Sequence, residues 1–232
     1  MGRRFFPPVF AIVVAVLPAC VDGERVTPPA LDAAFLGYSD PAARQTTCGN
    51  CHISKQRTWE ATGHAEAWAD LQASGAAAAS CNRCHTVNGF SNMAPDSAGF
   101  FAVSADAQRF YYDVQCESCH GPGAAHVQAP DDTQPLTTMA AAVGLNVGCA
   151  TCHSGEHTPF VEEWSASPHS NIQASARSNT SPDCKGCHDG RQALLRLDPD
   201  AKFIEQASAD WQPITCAVCH DPHGSGVQYL PV

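Results

Sequence analysis

Apolar residues cluster strongly once along this chain and otherwise scatter. A run from Phe5 to Leu17, behind Arg3 and Arg4 and interrupted by Pro7 and Pro8, stands apart from the rest of the chain. It is too short to span a bilayer and has the charged start and apolar centre of an export signal. Beyond it, long apolar periods are few. Gln56 to Asp70 reads as one helix and Asp200 to Ala209 as another, while Gln128 to Pro135 and Ala174 to Pro182 read as loops. The pattern predicts a mainly α chain with long irregular loops and little or no β-sheet.

Composition sharpens this picture. With 17 Gly, 17 Pro and only 8% aromatic residues in 232 positions, the chain cannot easily bury enough surface to offset its conformational entropy. Something besides side chains must supply much of the core.

The cysteines say what that is. Six times the chain spells Cys-x-x-Cys-His: Cys48, Cys51 and His52; Cys81, Cys84 and His85; Cys116, Cys119 and His120; Cys149, Cys152 and His153; Cys184, Cys187 and His188; Cys216, Cys219 and His220. On one helical turn, positions i, i+3 and i+4 share a face, so two thioether bonds and one iron ligand converge on a single macrocycle. Zinc sites and disulfide scaffolds also use paired cysteines, but neither explains a histidine directly after every pair. The motifs predict six covalently attached haem c groups and a haem-cored fold that does not form without them.

First cysteines are separated by 33, 35, 33, 35 and 32 residues, and a second period of 100 to 103 residues lies above this ladder. Trp59-x4-His64 follows motif one, and Trp164-x4-His169 follows motif four. His120-Gly-Pro122 and His220-Asp-Pro222 close motifs three and six. The chain therefore divides into a signal peptide at 1–19, a flexible tether at 20–41, and two tri-haem repeats at 42–144 and 145–232.

Five histidines lie outside the motifs: His64, His126, His157, His169 and His223. Neutral imidazole opposite a motif histidine gives a six-coordinate electron carrier. Five candidates serve six irons, so one iron lacks a histidine. His157 has no counterpart in the first half, where Gln56 takes the matching offset, so the deficit falls on a first-half haem. Met93 or Met139 would make that site His/Met; otherwise it is five-coordinate and open to a small ligand.

The thirteenth cysteine, Cys20, follows Leu17-Pro18-Ala19 and reads as the acylated residue of a lipoprotein, anchoring the protein to a membrane without a spanning helix. The location is then extracytoplasmic, on the periplasmic or cell-surface side. Loss of residues 1–19 leaves 11 basic against 23 acidic side chains. Such a surface repels nucleic acid and suits basic patches on redox proteins.

Cys-x-x-Cys-His with Trp59-x4-His64-Ala65, the string Val114-Gln-Cys-Glu-Ser-Cys-His-Gly-Pro-Gly123-x2-His126, and Cys216-Ala-Val-Cys-His-Asp-Pro-His223-Gly224 together resemble the cytochrome c-554 type of multihaem cytochromes. The namesake accepts electrons from hydroxylamine oxidoreductase and carries four motifs, not six. The resemblance covers about residues 45 to 226. It implies closely packed haem pairs, mostly bis-histidine ligation and one high-spin iron. The expected function is electron relay between a membrane-associated donor and another redox protein, with no catalytic residue. The alternatives are an oxidoreductase acting on a small nitrogen or sulfur species at the open haem, disfavoured by the lack of a Cys-x-x-Cys-Lys motif, and a subunit of a conductive filament.

Overall fold

A computed structural model describes residues 34–91, 97–133, 149–155, 157–171, 182–197, 214–221 and 223. Short helices joined by turns dominate. They are α1 (Ile53–Trp59), α2 (Ala67–Ala73), α3 (Asn82–His85), α4 (Cys116–His120), α5 (Ala124–Gln128), α6 (Cys149–Cys152), α7 (Phe160–Ala166), α8 (Pro182–His188), α9 (Gly190–Leu197) and α10 (Cys216–Cys219). The sheet among the described residues is one antiparallel pair, β1 (Tyr38–Asp40) with β2 (Gln45–Thr46), in register Tyr38 to Thr46 and Asp40 to Gln45 with an irregularity between. The expected mainly α fold with irregular loops is what the chain adopts. No helix of the described residues is long and apolar enough to cross a membrane.

The segment 56–70 is not the single helix its period suggests. Helix α1 stops at Trp59, Thr62 is extended (φ −100, ψ 157), and a 3-10 turn over Gly63–Glu66 precedes α2. The break is held locally. Thr62 Oγ1 donates to the Trp59 carbonyl at 2.7 Å, and the Thr62 carbonyl accepts from Ala65 N at 3.1 Å. Helix α9, from Gly190 to Leu197, is an addition to the expected elements. The Asp200 to Ala209 helix lies outside the described residues, as do 134–135 and 174–181 of the two expected loops.

Residues 34–41 also differ from a tether. Ala34, Phe35 and Tyr38 are buried, because Phe35 packs with Val87, Ala98 and Tyr111, and Tyr38 with Trp59, Ala65 and Phe110. Polar bonds fix the same stretch. Tyr111 Oη donates to the Phe35 carbonyl at 3.0 Å, and Tyr38 Oη donates to buried Asp113 at 2.8 Å. A third cluster joins Ala193 to Ile214 and Val218. Each of these clusters gathers three buried residues.

Candidate functional site

Each motif is a short helical turn, as its i, i+3, i+4 spacing requires. The bond closing the turn is explicit in three: His52 N to the Cys48 carbonyl at 2.9 Å, His153 N to Cys149 at 2.9 Å and His220 N to Cys216 at 2.8 Å. All twelve motif cysteines are free thiols, standing where thioether sulfurs would be in the haem-bearing chain. Among the described residues no group of three or more His, Cys, Asp or Glu side chains converges on a metal position as a zinc site needs.

Histidines face one another in pairs. The His52 and His126 rings lie with centroids 6.3 Å apart and planes at 24°. His120 and His223 are 6.2 Å apart at 12°, and His153 and His64 are 6.1 Å apart at 55°. A first-row metal bonds imidazole nitrogen at about 2 Å; with about 1.1 Å from nitrogen to ring centroid, two imidazoles on opposite sides of one metal would stand about 6.2 Å apart. The three separations match that figure. Each pair joins one motif histidine to one of the five outside the motifs.

The surroundings fit a large apolar cofactor. Of the four large apolar side chains exposed among the described residues, Ile53 adjoins His52, Val127 adjoins His126, and Phe160 stacks on His153 at 5.9 Å. Exposed apolar surface gathered at ligand pairs is what a macrocycle covers. The Nδ1 atom of His153 is buried with no hydrogen-bond partner among the described residues. It marks a position whose surroundings the chain alone does not complete.

Supporting bonds orient the rings. His126 Nδ1 donates to the Thr133 carbonyl at 2.7 Å, which leaves Nε2 for the metal, and His85 Nδ1 does the same to Ala67 at 2.7 Å. His223 Nδ1 lies 3.5 Å from Asp221 Oδ1. Burial lowers the His64, His153 and His223 pKa values from the ordinary range. A neighbouring cation or imidazole adds to this: His153 for His64, His220 for His153, and Lys55 for His223. The neutral form, the one that ligates, is therefore favoured.

The Trp residues of the two Trp-x4-His elements hold equivalent positions. Trp59 Nε1 donates to the Val114 carbonyl at 2.9 Å and Trp164 Nε1 to the Ile214 carbonyl at 2.7 Å. Each acceptor stands two residues before a motif cysteine, Cys116 or Cys216. His64 and His169 both follow on 3-10 turns. His169 and His157 are exposed, and among the described residues no second imidazole faces either ring. Cys20, Met93 and Met139 lie outside the described residues.

Sequence reasoning overlooked Glu117, the first residue between the two cysteines of motif three. It is 2% exposed and accepts from Leu36 N at 2.8 and 3.0 Å, Gly37 N at 2.7 Å and Gly123 N at 2.7 Å. Its carboxylate ties the stretch before β1 to the third motif. It is the one acidic residue between the paired cysteines of any motif, and that was the available signal.

Comparison with known proteins agrees with this geometry. Residues 47–121 match the family model described as cytochrome c554 and c-prime. The chain is 27% identical over 132 residues to the multiheme cytochrome MtrA of Shewanella baltica, covering 48% of this chain and 36% of that protein. It is 26% identical over 168 residues to the C-type polyheme cytochrome OmcC of Geobacter sulfurreducens, covering 62% of this chain and 20% of that one. The chain thus spans well under half the length of either relative. No solved structure matches it. The protein is a multihaem c-type cytochrome, with covalently bound haem c.

Proposed function

We propose that the protein is an extracytoplasmic electron-transfer chain with six haem c groups, relaying electrons between a membrane-associated donor and another redox protein. The observation that carries this reading is the set of three imidazole pairs, 6.1 to 6.3 Å between centroids. His126 serves the iron of motif one, His223 that of motif three, and His64 that of motif four. Haem, when bound, supplies reversible one-electron chemistry. The chain's part would be to hold the iron with neutral imidazoles, to fix the His126 and His85 rings through the Thr133 and Ala67 carbonyls, and to keep water away with buried side chains. Each electron comes from a reduced donor and leaves to an oxidised acceptor, with no bond made or broken. The donor and acceptor are redox proteins that dock transiently on small faces.

In this reading residues 42–144 and 145–232 are tri-haem repeats that exchange ligands. Motif three takes His223 from the second half, and motif four takes His64 from the first. Cys20 is acylated and anchors the chain. His157 and His169 are ligand candidates for the remaining irons. Electron paramagnetic resonance of the oxidised native protein tests the assignment. Low-spin bis-histidine signals for at least three haems are expected, and high-spin iron throughout would overturn it. A relay also reduces and reoxidises rapidly with a soluble redox protein. Steady turnover of a small nitrogen or sulfur species, with slow exchange to protein partners, would favour the enzyme instead.

A further inference from the structure

Each imidazole of the His120 and His223 pair, which defines the site of motif three, has a carboxylate beside it. On the motif side this is Glu117. It stands three residues before His120 on α4, a spacing that puts two side chains on one flank of a helical turn with Cβ atoms about 5–6 Å apart. Glu117 is buried, and both of its oxygens accept: Oε1 from Leu36 N and Gly123 N, Oε2 from Leu36 N and Gly37 N. A protonated carboxyl has to turn one oxygen into a donor, so this arrangement suits the ionised form. Burial pushes the Glu117 carboxyl up, and the three amides oppose it.

Beside the other imidazole is Asp221. Its Oδ1 accepts from His223 N at 2.9 Å and lies 3.5 Å from His223 Nδ1. At site one the corresponding imidazole, His126, meets the neutral Thr133 carbonyl instead. A carboxylate behind a ligating imidazole makes it a stronger donor. Lys55 acts on His223 in the opposite sense, from an exposed position where water and salt screen it.

We propose that Glu117 and Asp221 set the reduction potential of the third site and make it the last of the three paired sites to take up an electron. The proposal rests on the electron-transfer reading and its ligand pairs, and adds which site holds an electron least. Reduction removes one positive charge from a site, so fixed negative charge beside it favours the oxidised state, and burial limits the screening of that charge. Sites one, three and four are ligated alike by two imidazoles, so axial ligands do not rank them. Between the cysteines of motifs one and four stand Gly49, Asn50, Ala150 and Thr151, none of them charged. An electron shared among the three sites therefore rests at one or four.

The test is a spectroscopic redox titration of the full haem-bearing protein. His126→Ala, His223→Ala and His64→Ala each convert one low-spin signal to high-spin, which marks the couples of sites one, three and four. Site three is expected to be reduced last. Glu117→Gln is expected to raise its ferrous-to-ferric ratio about tenfold at fixed ambient potential, about 59 mV for one electron, with sites one and four unmoved. Asp221→Asn raises the ratio too; should Glu117→Gln not accumulate, this variant and the native order of reduction decide. Gly37→Ala disturbs the segment bonded to Glu117 and keeps the charge, so it leaves the couple in place. An unmoved site-three couple in the charge variants, an equal rise in Gly37→Ala, or reduction of site three before site one or four would overturn the proposal. If His223→Ala converts no low-spin signal, the ligand pairing fails, and the proposal fails with it unless Glu117→Gln and Asp221→Asn raise one and the same couple. Slow exchange with protein partners alongside the expected shifts would sink the electron-transfer reading and leave the order of potentials standing.

Discussion

Glu117→Gln probes the tie between the stretch before β1 and the haem-bearing core. Three backbone amides, those of Leu36, Gly37 and Gly123, donate to the Glu117 carboxylate over 2.7 to 3.0 Å. Glutamine keeps one acceptor oxygen and turns an amide group, itself a donor, toward the others. At least one of the three N–H groups then loses its acceptor in a buried setting, at a cost of about 1–3 kcal/mol. Glu117→Ala strips the acceptor from all three, for a loss of about 3–5 kcal/mol, a large part of the stability of an ordinary domain. Denaturant unfolding of the haem-bearing protein, followed by far-UV circular dichroism, measures the loss. Hydrogen exchange at the Leu36, Gly37 and Gly123 amides locates it. Unchanged midpoints and unchanged exchange in Glu117→Gln would refute the argument that this carboxylate secures the segment.

Further outcomes are expected elsewhere in the molecule. Gly37 has φ +64, and a Cβ there would overlap the Phe110 carbonyl oxygen; Gly37→Ala should cost about 2 kcal/mol or more by the same unfolding assay. Burial raises the Asp113 carboxyl above its ordinary range against the opposing bonds from Trp68 and Tyr38. A raised folded-state value means that the unfolded chain ionises first, so this contribution is full at acid pH and is lost as pH rises past the ordinary carboxylate range. Asp113→Asn, which tolerates the positive φ of 69 at this position, should flatten that fall as pH rises above the ordinary carboxylate range. Equal pH slopes for the two proteins would contradict it. His126→Ala should convert one haem to a high-spin signal with all haems retained, and His126→Met should raise the potential of that haem in a spectroscopic redox titration.

The parts of this molecule readable from the sequence are those fixed by local spacing. Cys-x-x-Cys-His forms a short helical turn in each copy, and in three of them the histidine N–H closes it onto the first cysteine's carbonyl. The Trp-x4-His elements are visible as a repeated string, and Trp59 and Trp164 make the same bond to equivalent carbonyls. Which imidazole faces which is not legible in the same way. His64 and His169 have the same local sequence setting, yet His64 turns to His153 of the other half while His169 is exposed. That difference depends on long-range packing, which a repeat in the sequence does not encode. Residues 34–41 read as tether because prolines surround them. Two aromatics, Phe35 and Tyr38, are enough to bury the stretch because the 98–113 region offers them partners.

The central claim is that each of six motifs carries a haem on its own pair of cysteines. The intact mass of the natively matured protein tests it directly. Six haem increments on one chain are predicted, and any smaller number in the fully matured species would contradict the account.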